Sequence, residues 1–393
     1  METIPFHKPF IGKEEQEAVL RVLNSGWLTT GKEALSFEKE FCQFLLENGS
    51  FQKPADKKEL FCLAVNSATS GLHLALEALD IGPEDAVLLP SYTFTACAET
   101  IRYLGAEAVF VDIGEDSYNI NACELEKAIT AYNNNNPRHK LKAIIAVHFG
   151  GLPCEMTEIN SIAKSYNLAV IEDTAHAFPA ETQQGWAGTL GDIGVFSFYA
   201  TKTITTGEGG MVVTWNKELA RRISLMRNHG IDRTVWNRYT DTQASWYYEV
   251  IAPGFKYNMP DIAAALGRVQ LGRALDLHAM RLSIAQGYDR AFKDSSVIIP
   301  PSPGGARHLY TIRLKEIERR DAFIESLRKL GIGASVHFIP LHIMPYYRER
   351  YGLKPEDFPV SLQRYKETVS LPLWPGMSNE QIDRVIEAVL LLK

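Results

Sequence analysis

The chain has 393 residues, of which 46% are hydrophobic and 22% charged, and its formal net charge at pH 7 is −6. These values are ordinary for a globular protein with a core of useful size, and the negative charge gives no reason to expect nucleic acid or an anionic membrane as a partner. No stretch approaches the roughly 18 continuous apolar residues that a membrane span requires. We therefore expect neither a nucleic-acid-binding nor a membrane protein.

The first two thirds of the chain alternate between predicted helices and strands. Apolar periodicity predicts helices over residues 13–24 and 34–46, and the polar stretch 47–59 is typical of a surface loop. Short apolar strands are then predicted at 60–65, 86–89, 108–111, 142–147, 169–172, 194–197 and 210–214. Helices between these strands predict an α/β fold, with a mainly parallel central sheet in a three-layer large domain and ligands at the carboxyl ends of the strands.

After about residue 260 the pattern changes. Residues 260–289 predict one or two long helices, residues 308–314 and 335–337 predict strands, and residues 320–330 and 381–392 predict further helices. We therefore predict a large domain over residues 1–260 and a small α+β domain over residues 261–393.

Cysteine and histidine spacing provides no sign of a metal or a disulfide framework. The five cysteines, at positions 42, 62, 97, 123 and 154, include no C-x-x-C pair, and His337 and His342 have no carboxylate or cysteine nearby. The N-terminus lacks the basic-then-apolar arrangement of an export signal. These features predict a reduced, cytoplasmic protein without a metal ion.

One lysine and one carboxylate follow neighbouring predicted strands. Lys202 lies between an apolar run and the glycine-rich turn at 207–210, and Asp173 ends the run that starts at Leu168. Such a pair would hold pyridoxal 5′-phosphate (PLP), with Lys202 forming the Schiff base and Asp173 pairing with the pyridinium nitrogen. Lys202 would then need a lowered pKa to act as nucleophile and proton shuttle. Each residue alone is more often a surface charge or a turn residue.

The junction over residues 65–71 joins a strand to a helix with small, hydroxylated residues. Backbone N–H groups at a helix start attract an anion, so we assign the cofactor phosphate to Ser67, Ala68 and Thr69, although an ordinary helix cap would have the same composition. Ser197 would add a phosphate contact.

Two ring side chains complete the predicted cofactor site. Phe94 would lie flat against the pyridine ring, although core packing is the commoner role of a phenylalanine. His176 would hydrogen-bond the ring hydroxyl or pack over the ring. The joint occurrence of these residues with Lys202 and Asp173 favours a PLP enzyme that moves amino groups.

With these residues placed, the chain resembles the sugar aminotransferases of the DegT/DnrJ/EryC1/StrS family almost from end to end. The shared motifs lie at residues 25–31, 66–71, 172–177, 196–202, 208–210, 254–261 and 371–373. Within the family the chain is most similar to enzymes that aminate C4 of nucleotide-linked 4-keto sugars, of the UDP-4-amino-4-deoxy-L-arabinose type, through residues 250–258 and 346–350.

The resemblance implies a fold-type I PLP enzyme that works as a homodimer with active sites at the subunit interface. L-Glutamate would donate the amino group to a nucleotide keto-sugar used in glycan biosynthesis, and Asn258 would reach the phosphate of the partner subunit's cofactor. The family's sugar pocket maps onto Trp27, Thr29, Thr30, His337 and Phe338.

Several alternatives remain open at this stage. These alternatives are a C3 aminotransferase of a dTDP-keto-sugar, a related dehydratase and a non-catalytic PLP-binding regulatory module. The dehydratases have histidine in place of the Schiff-base lysine, and a silent module should lack Lys202, Asp173 or the phosphate cradle, none of which is missing. A nucleic-acid role for the basic aromatic run 346–351 is opposed by the net charge.

Overall fold

The computed structural model describes residues 2–48, 59–135, 138–232, 247–301, 305–316 and 319–392. A seven-stranded sheet lies at the centre, in the order β1-β9-β8-β5-β4-β2-β3. Its strands are β1 (Phe61–Val65), β2 (Asp85–Pro90), β3 (Glu107–Val111), β4 (Lys140–Val147), β5 (Ala169–Asp173), β8 (Ile193–Ser197) and β9 (Gly210–Thr214). In this sheet β9 pairs antiparallel with β1 and β8, and the other strand pairs are parallel. The short pair β6 (Glu181–Thr182) and β7 (Gly185–Trp186) forms a separate ribbon.

Helices fill the segments between these strands and continue beyond them. They are α1 (Lys13–Ser25), α2 (Lys32–Glu47), α3 (Ala68–Ala78), α4 (Ala96–Tyr103), α5 (Ala122–Asn134), α6 (Met156–Ser165), α7 (Lys217–Met226), α8 (Asp261–Gly272), α9 (Ala274–Phe292), α10 (Arg320–Lys329), α11 (Pro345–Tyr351), α12 (Pro359–Glu367) and α13 (Asn379–Leu392). No helix in the described part of the chain has the length and apolarity that a membrane span requires.

The sheet is buried on both faces because its strands are apolar at consecutive positions. Val87 and Leu89 of β2 face a core that α3, α4 and α7 cover, whereas Ala86 and Leu88 face a core that α5 and α6 cover. Successive side chains of a strand point to opposite faces, so a run of apolar residues needs a helix layer on each side. The three-layer α/β architecture predicted from the alternation of elements is confirmed.

The C-terminal part builds its own core around a two-stranded antiparallel sheet of β10 (Tyr310–Arg313) and β11 (Thr368–Leu371). Helices α9, α10 and α13 pack on it, and Ile4 from the N-terminus joins the same core and pairs with Ile332. The N-terminal arm is therefore attached to the C-terminal part of the molecule. The boundary at residue 260 stays a prediction; α8 directly after it packs against α1 and α2.

Some local predictions differ from the structure. Residues 335–337 form only an isolated bridge between Ser335 and Ser370 instead of a strand. The helix α5 continues to Asn134, within a run of asparagines, although asparagine is more typical of turns and loops. Most of the predicted loop 47–59 lies outside the described residues. The run 346–351 forms α11, whose Tyr347 packs edge-on against Phe110 with ring centroids 5.5 Å apart.

A cluster of phenylalanine rings fixes α2 to the sheet beneath the segment that carries Lys202. The Phe41 ring is fully buried and lies 5.1 Å from the rings of Phe178 and Phe196 and 5.6 Å from that of Phe198. We expect Phe41→Ala to lower the free energy of unfolding by about 3–5 kcal/mol, because the lost ring leaves a cavity. Urea denaturation measures this, and Leu20→Ala on the exposed face of α1 should change it by less than about 0.5 kcal/mol.

Candidate active site

A cavity of about 550 Å³ opens at the carboxyl ends of the parallel strands. Strands β4, β5 and β8 contribute Val147, Asp173 and Ser197, the last residue of each. The other wall comes from the C-terminal part of the chain and the N-terminal arm, through Phe6, His7, His308, His337 and Phe338. A cavity of this size at this edge of an α/β sheet is the usual place for a ligand.

Lys202 lies in the turn after β8 and lines this cavity. Its backbone N–H donates to the carbonyl of Tyr199 at 2.9 Å, and among the described residues its amine has no hydrogen-bond or salt-bridge partner. Burial lowers the pKa of the Lys202 amine to about 8; the Asp173 carboxylate opposes this shift and the Arg281 guanidinium adds to it. The amine is thus neutral in an appreciable fraction of molecules near neutral pH and available as a nucleophile.

Asp173, the last residue of β5, is the carboxylate that faces the cavity. Its Oδ1 accepts a hydrogen bond from the Ala175 backbone N–H at 3.0 Å, and its Oδ2 accepts one from the Cys97 thiol at 3.0 Å. Burial, and then the Asp173 charge, raise the pKa of the Cys97 thiol well above its usual value, so the sulfur keeps the proton it donates. Asp173 is therefore held in one orientation.

The neighbouring Glu172 points to the opposite face of the strand and has a different role. Its carboxylate accepts from the backbone N–H groups of Gly188 at 2.8 Å and of Leu190 and Gly191 at 2.7 Å. The Glu172 carboxylate also accepts a hydrogen bond from His148 Nε2 at 2.9 Å. The Nδ1 atom of His148 accepts from the Cys154 backbone N–H, so the imidazole proton lies on Nε2. Glu172 thus holds a loop in place and takes no part in the cavity.

The start of α3 offers two free backbone donors. The Ser67 hydroxyl caps the helix by accepting from the Ser70 N–H at 3.1 Å. Within the described part of the chain, the N–H groups of Ala68 and Thr69 have no partner, as expected for the first turn of a helix. Both residues and Ser67 line the cavity together with Ser197, so the predicted phosphate contacts lie together.

Four imidazoles line the cavity near Lys202, those of His7, His176, His308 and His337, and all are neutral. Burial and the Lys202 charge lower the pKa of His176 and of His308 well below the usual value, and that of His337 to about 4. The Gly150 N–H donates to His176 Nδ1 at 3.2 Å, which leaves the proton of His176 on Nε2. His176 lies 4.4 Å from His308 between ring centroids. Neutral imidazoles can donate or accept hydrogen bonds without adding charge.

Phe94 stands at the mouth of the cavity. Its side chain is 55% exposed, although it lies only two residues before the buried start of α4, and its ring lies 5.8 Å from that of Phe338. An exposed phenylalanine beside an open cavity leaves its ring face available to a planar ligand. Core packing, the commoner role of this residue type, does not apply here.

The remaining predicted residues lie elsewhere in the chain. Asn258 pairs with Val65 at the end of β1, its Nδ2 donates to Thr30 Oγ1 at 2.5 Å, and its Oδ1 is buried without a partner among the described residues. Trp27 donates to the Thr30 carbonyl, and the Thr29 carbonyl accepts from the backbone N–H of Asp261. None of these four predicted residues lines the cavity of its own chain; their assignment to a shared site stays a prediction.

Sequence reasoning missed the contribution of the N-terminal arm. The Phe6 ring stacks on His337 at 5.2 Å, and His7 Nε2 donates to the carbonyl of Ala200 at 3.0 Å, two residues before Lys202. The third residue missed, His308, packs on His176. No local motif marks these residues, because each reaches the cavity only through long-range packing.

The match to a family model covers residues 9–390, and the model describes the DegT/DnrJ/EryC1/StrS aminotransferase family. The chain belongs to this family. SpsC of Bacillus subtilis, a spore coat polysaccharide biosynthesis protein, is 43% identical over 98% of this chain and 96% of its own. PseC of Helicobacter pylori, an aminotransferase involved in the biosynthesis of pseudoaminic acid, is 31% identical with a TM-score of 0.87 over 100% and 99% of the two chains.

The PLP form of Spr1654 from Streptococcus pneumoniae is 29% identical to this chain, with a TM-score of 0.86 over 99% and 98% of the two chains. The chain is a PLP-dependent aminotransferase, as its sequence motifs predicted.

The cavity residues fit this cofactor. Unpartnered N–H groups at the start of α3 suit a phosphate, and the Lys202 amine without a partner suits an aldehyde. The backbone of β9 lies close to the start of α3 at Gly210. A Cβ at this position would lie 2.9 Å from the Ala68 nitrogen and 2.7 Å from the Phe196 carbonyl oxygen. Within the described residues, no group of three or more His, Cys, Asp or Glu side chains is placed to hold a metal ion.

We expect Gly210→Ala to weaken PLP binding by at least about tenfold, a loss of about 1.4 kcal/mol. The added methyl group would push the start of α3 away from β9 and displace the two N–H donors. Titration of the cofactor-free protein with PLP measures the change. Gly287→Ala is the matched control, because a Cβ at this position within α9 meets no atom within 4 Å; equal affinities for the two variants would contradict the prediction.

Proposed function

We propose that this chain transfers the amino group of L-glutamate to the keto carbon, at C4, of a nucleotide-linked deoxy-keto-sugar destined for a cell-surface polysaccharide or other glycan. The observation that carries the proposal is the Lys202 amine, whose pKa is lowered to about 8, in one cavity with the Asp173 carboxylate. SpsC and PseC, which are named for polysaccharide and pseudoaminic acid biosynthesis, support a sugar acceptor.

Bound PLP supplies an electron sink for the carbon that gains or loses the amino group. Lys202 would hold the cofactor aldehyde through Nζ, and the same atom would move a proton to or from the reacting carbon. Asp173 would stabilise the positive charge of the ring nitrogen, and Phe94 would cover a ring face. His176 offers its Nε2–H to an oxygen of the ring or of a substrate.

The wall formed by His337 and Phe338 suits the sugar. His337 Nδ1 lies 2.9 Å from the Ser370 hydroxyl, so this contact fixes the imidazole and leaves Nε2 for a ligand. A neutral imidazole beside aromatic faces matches a sugar ring, which presents both hydroxyls and apolar C–H groups. The choice of C4 and of a nucleotide-linked substrate comes from the family resemblance of residues 250–258 and 346–350.

We further propose a cytoplasmic homodimer that shares its active sites. Phe94 and Tyr199 are exposed at the cavity, and residues 247, 248, 250 and 251 expose further large apolar side chains. Large exposed apolar side chains of this kind are typical of a protein interface. A partner subunit that packs there would place its Trp27, Thr29, Thr30 and Asn258 beside this cavity. Such an arrangement would explain why these residues do not line the cavity of their own chain.

Product analysis with a substrate panel tests the function. The purified protein is incubated with PLP, ¹⁵N-labelled L-glutamate and nucleotide sugars carrying a ketone at C3 or C4, linked to UDP or dTDP. Mass spectrometry shows which sugar gains nitrogen, and NMR shows at which carbon. We expect ¹⁵N at C4; labelling at C3 would replace the C4 assignment, and no labelled sugar at all would contradict the proposed function.

A further inference from the structure

Arg281 is the largest side chain that is fully buried in the described part of the molecule. It projects from α9, and its guanidinium donates to three backbone carbonyls: from Nη1 to Leu373 at 2.9 Å and to His308 at 3.3 Å, and from Nη2 to Thr201 at 3.4 Å. All three acceptors belong to residues that line the active-site cavity. One side chain thus ties together three segments far apart in sequence.

The charge of this guanidinium is not neutralised locally. Among the described residues, no carboxylate forms a hydrogen bond or salt bridge with Arg281, and its Nε is buried without a partner. Other buried arginines of this chain differ: Arg364, for example, pairs with Glu367 at 2.8 Å. Burying a charge without a counter-charge is costly, so a buried guanidinium that meets only carbonyl groups calls for a role beyond packing.

We propose that Arg281 is a positioning residue of the active site, which fixes the back of the cavity and keeps an unneutralised positive charge near Lys202 so that the lysine amine remains nucleophilic. Thr201, one of its acceptors, directly precedes Lys202. The inference rests on the proposed role of Lys202 and goes beyond it, because it assigns the tuning of that amine to a residue outside the ligand-contacting set.

Burial and Arg281 together lower the pKa of Lys202 against the opposing effect of Asp173. Asp173 from β5 is the carboxylate that favours the charged amine, whereas burial and Arg281 disfavour it. The imidazoles of His176, His308 and His337 are neutral because burial lowers their pKa values. His7 is neutral for the same reason, its pKa lying at about 4, and Glu208 at the cavity wall is exposed. Arg281 is therefore the one fixed positive charge of this set.

The pH dependence of PLP capture tests the proposal. Full-length protein freed of cofactor is mixed with PLP over a range of pH, and the growth of the visible band gives the pH midpoint of Lys202. Arg281→Gln keeps amide donors but removes the charge. Losing a nearby positive charge stabilises the ammonium form, so the midpoint should rise by about one unit and capture at pH 7 should slow about tenfold.

Two variants separate this effect from a structural one. Arg281→Lys returns a positive charge and should give a midpoint between those of wild type and Arg281→Gln. Arg364→Gln removes a buried arginine of α12 that also donates to a carbonyl, that of Glu115, but is paired with Glu367; it should lower the thermal unfolding temperature and leave the midpoint unchanged. If Arg281 had only a structural role, Arg281→Gln would behave like Arg364→Gln: the thermal unfolding temperature would fall and the pH midpoint of PLP capture would not change.

An unchanged midpoint in Arg281→Gln overturns the proposal, whatever the stability of the variant. If that variant does not fold, Arg281→Lys decides: its ammonium group cannot reach all three carbonyls, so we expect a midpoint above the wild-type value, and a midpoint equal to the wild-type value overturns the proposal. Lys202→Ala tests the role of Lys202 separately from that of Arg281. If this variant captured PLP at the wild-type rate, Lys202 would not be the residue that binds the aldehyde, and the proposed function would fail.

Discussion

Lys202→Ala is expected to abolish the visible band of bound PLP and to reduce amino transfer by roughly 10⁴-fold or more. The substitution removes the only side chain assigned both to hold the aldehyde and to move the proton, and general acid–base catalysis alone contributes about 10²–10⁴-fold. Absorption spectra and mass spectrometry of the aminated sugar measure the two effects.

Lys217→Ala is the control for this experiment. Lys217 lies exposed at the start of α7, on a segment that does not line the cavity, so its removal should change neither the spectrum nor the turnover. An unchanged visible band in Lys202→Ala would contradict the role of this lysine, and unchanged turnover would contradict the mechanism.

Asp173→Asn is expected to lower kcat by about 10²–10³-fold while the protein stays folded. The amide keeps the size of the side chain and its Oδ1 can still accept from Ala175, but it no longer carries the charge that stabilises a protonated ring nitrogen. Steady-state kinetics measure the loss, and urea denaturation shows whether the fold is retained.

The neighbouring carboxylate provides the matched control. Glu172→Gln leaves the cavity intact but replaces an acceptor of three backbone N–H groups, so it should cost about 1.5–3 kcal/mol of stability. At a temperature well below unfolding, its kcat should remain close to that of the wild type. The assignment of the two carboxylates would be wrong if Glu172→Gln lost as much kcat as Asp173→Asn.

The part of the site built from local motifs could be predicted from the sequence. Asp173 ends an apolar strand and Ser67, Ala68, Thr69 and Lys202 follow apolar strands, and the carboxyl ends of parallel strands meet at one edge of the sheet. Placing a residue at a strand end therefore already places it near the others. Their common cavity in the structure agrees with this reasoning.

The other wall of the cavity could not be predicted in this way. Phe6, His7 and His308 reach it because the N-terminal arm joins the C-terminal core, where Ile4 pairs with Ile332. His337 and Phe338 were proposed only through the family resemblance. Contacts between segments more than 300 residues apart leave no periodic pattern in the sequence.

The sequence by itself determined the class of fold and the chemistry of the cofactor site, because alternating apolar strands and helices permit few arrangements and local motifs place Lys202 and Asp173. Only the tertiary structure decided what surrounds Lys202. Arg281 occupies an ordinary position in a helical stretch and would be expected to be solvated, like most arginines. Long-range packing buries it against carbonyls from three distant segments, and that burial makes its charge matter to the lysine.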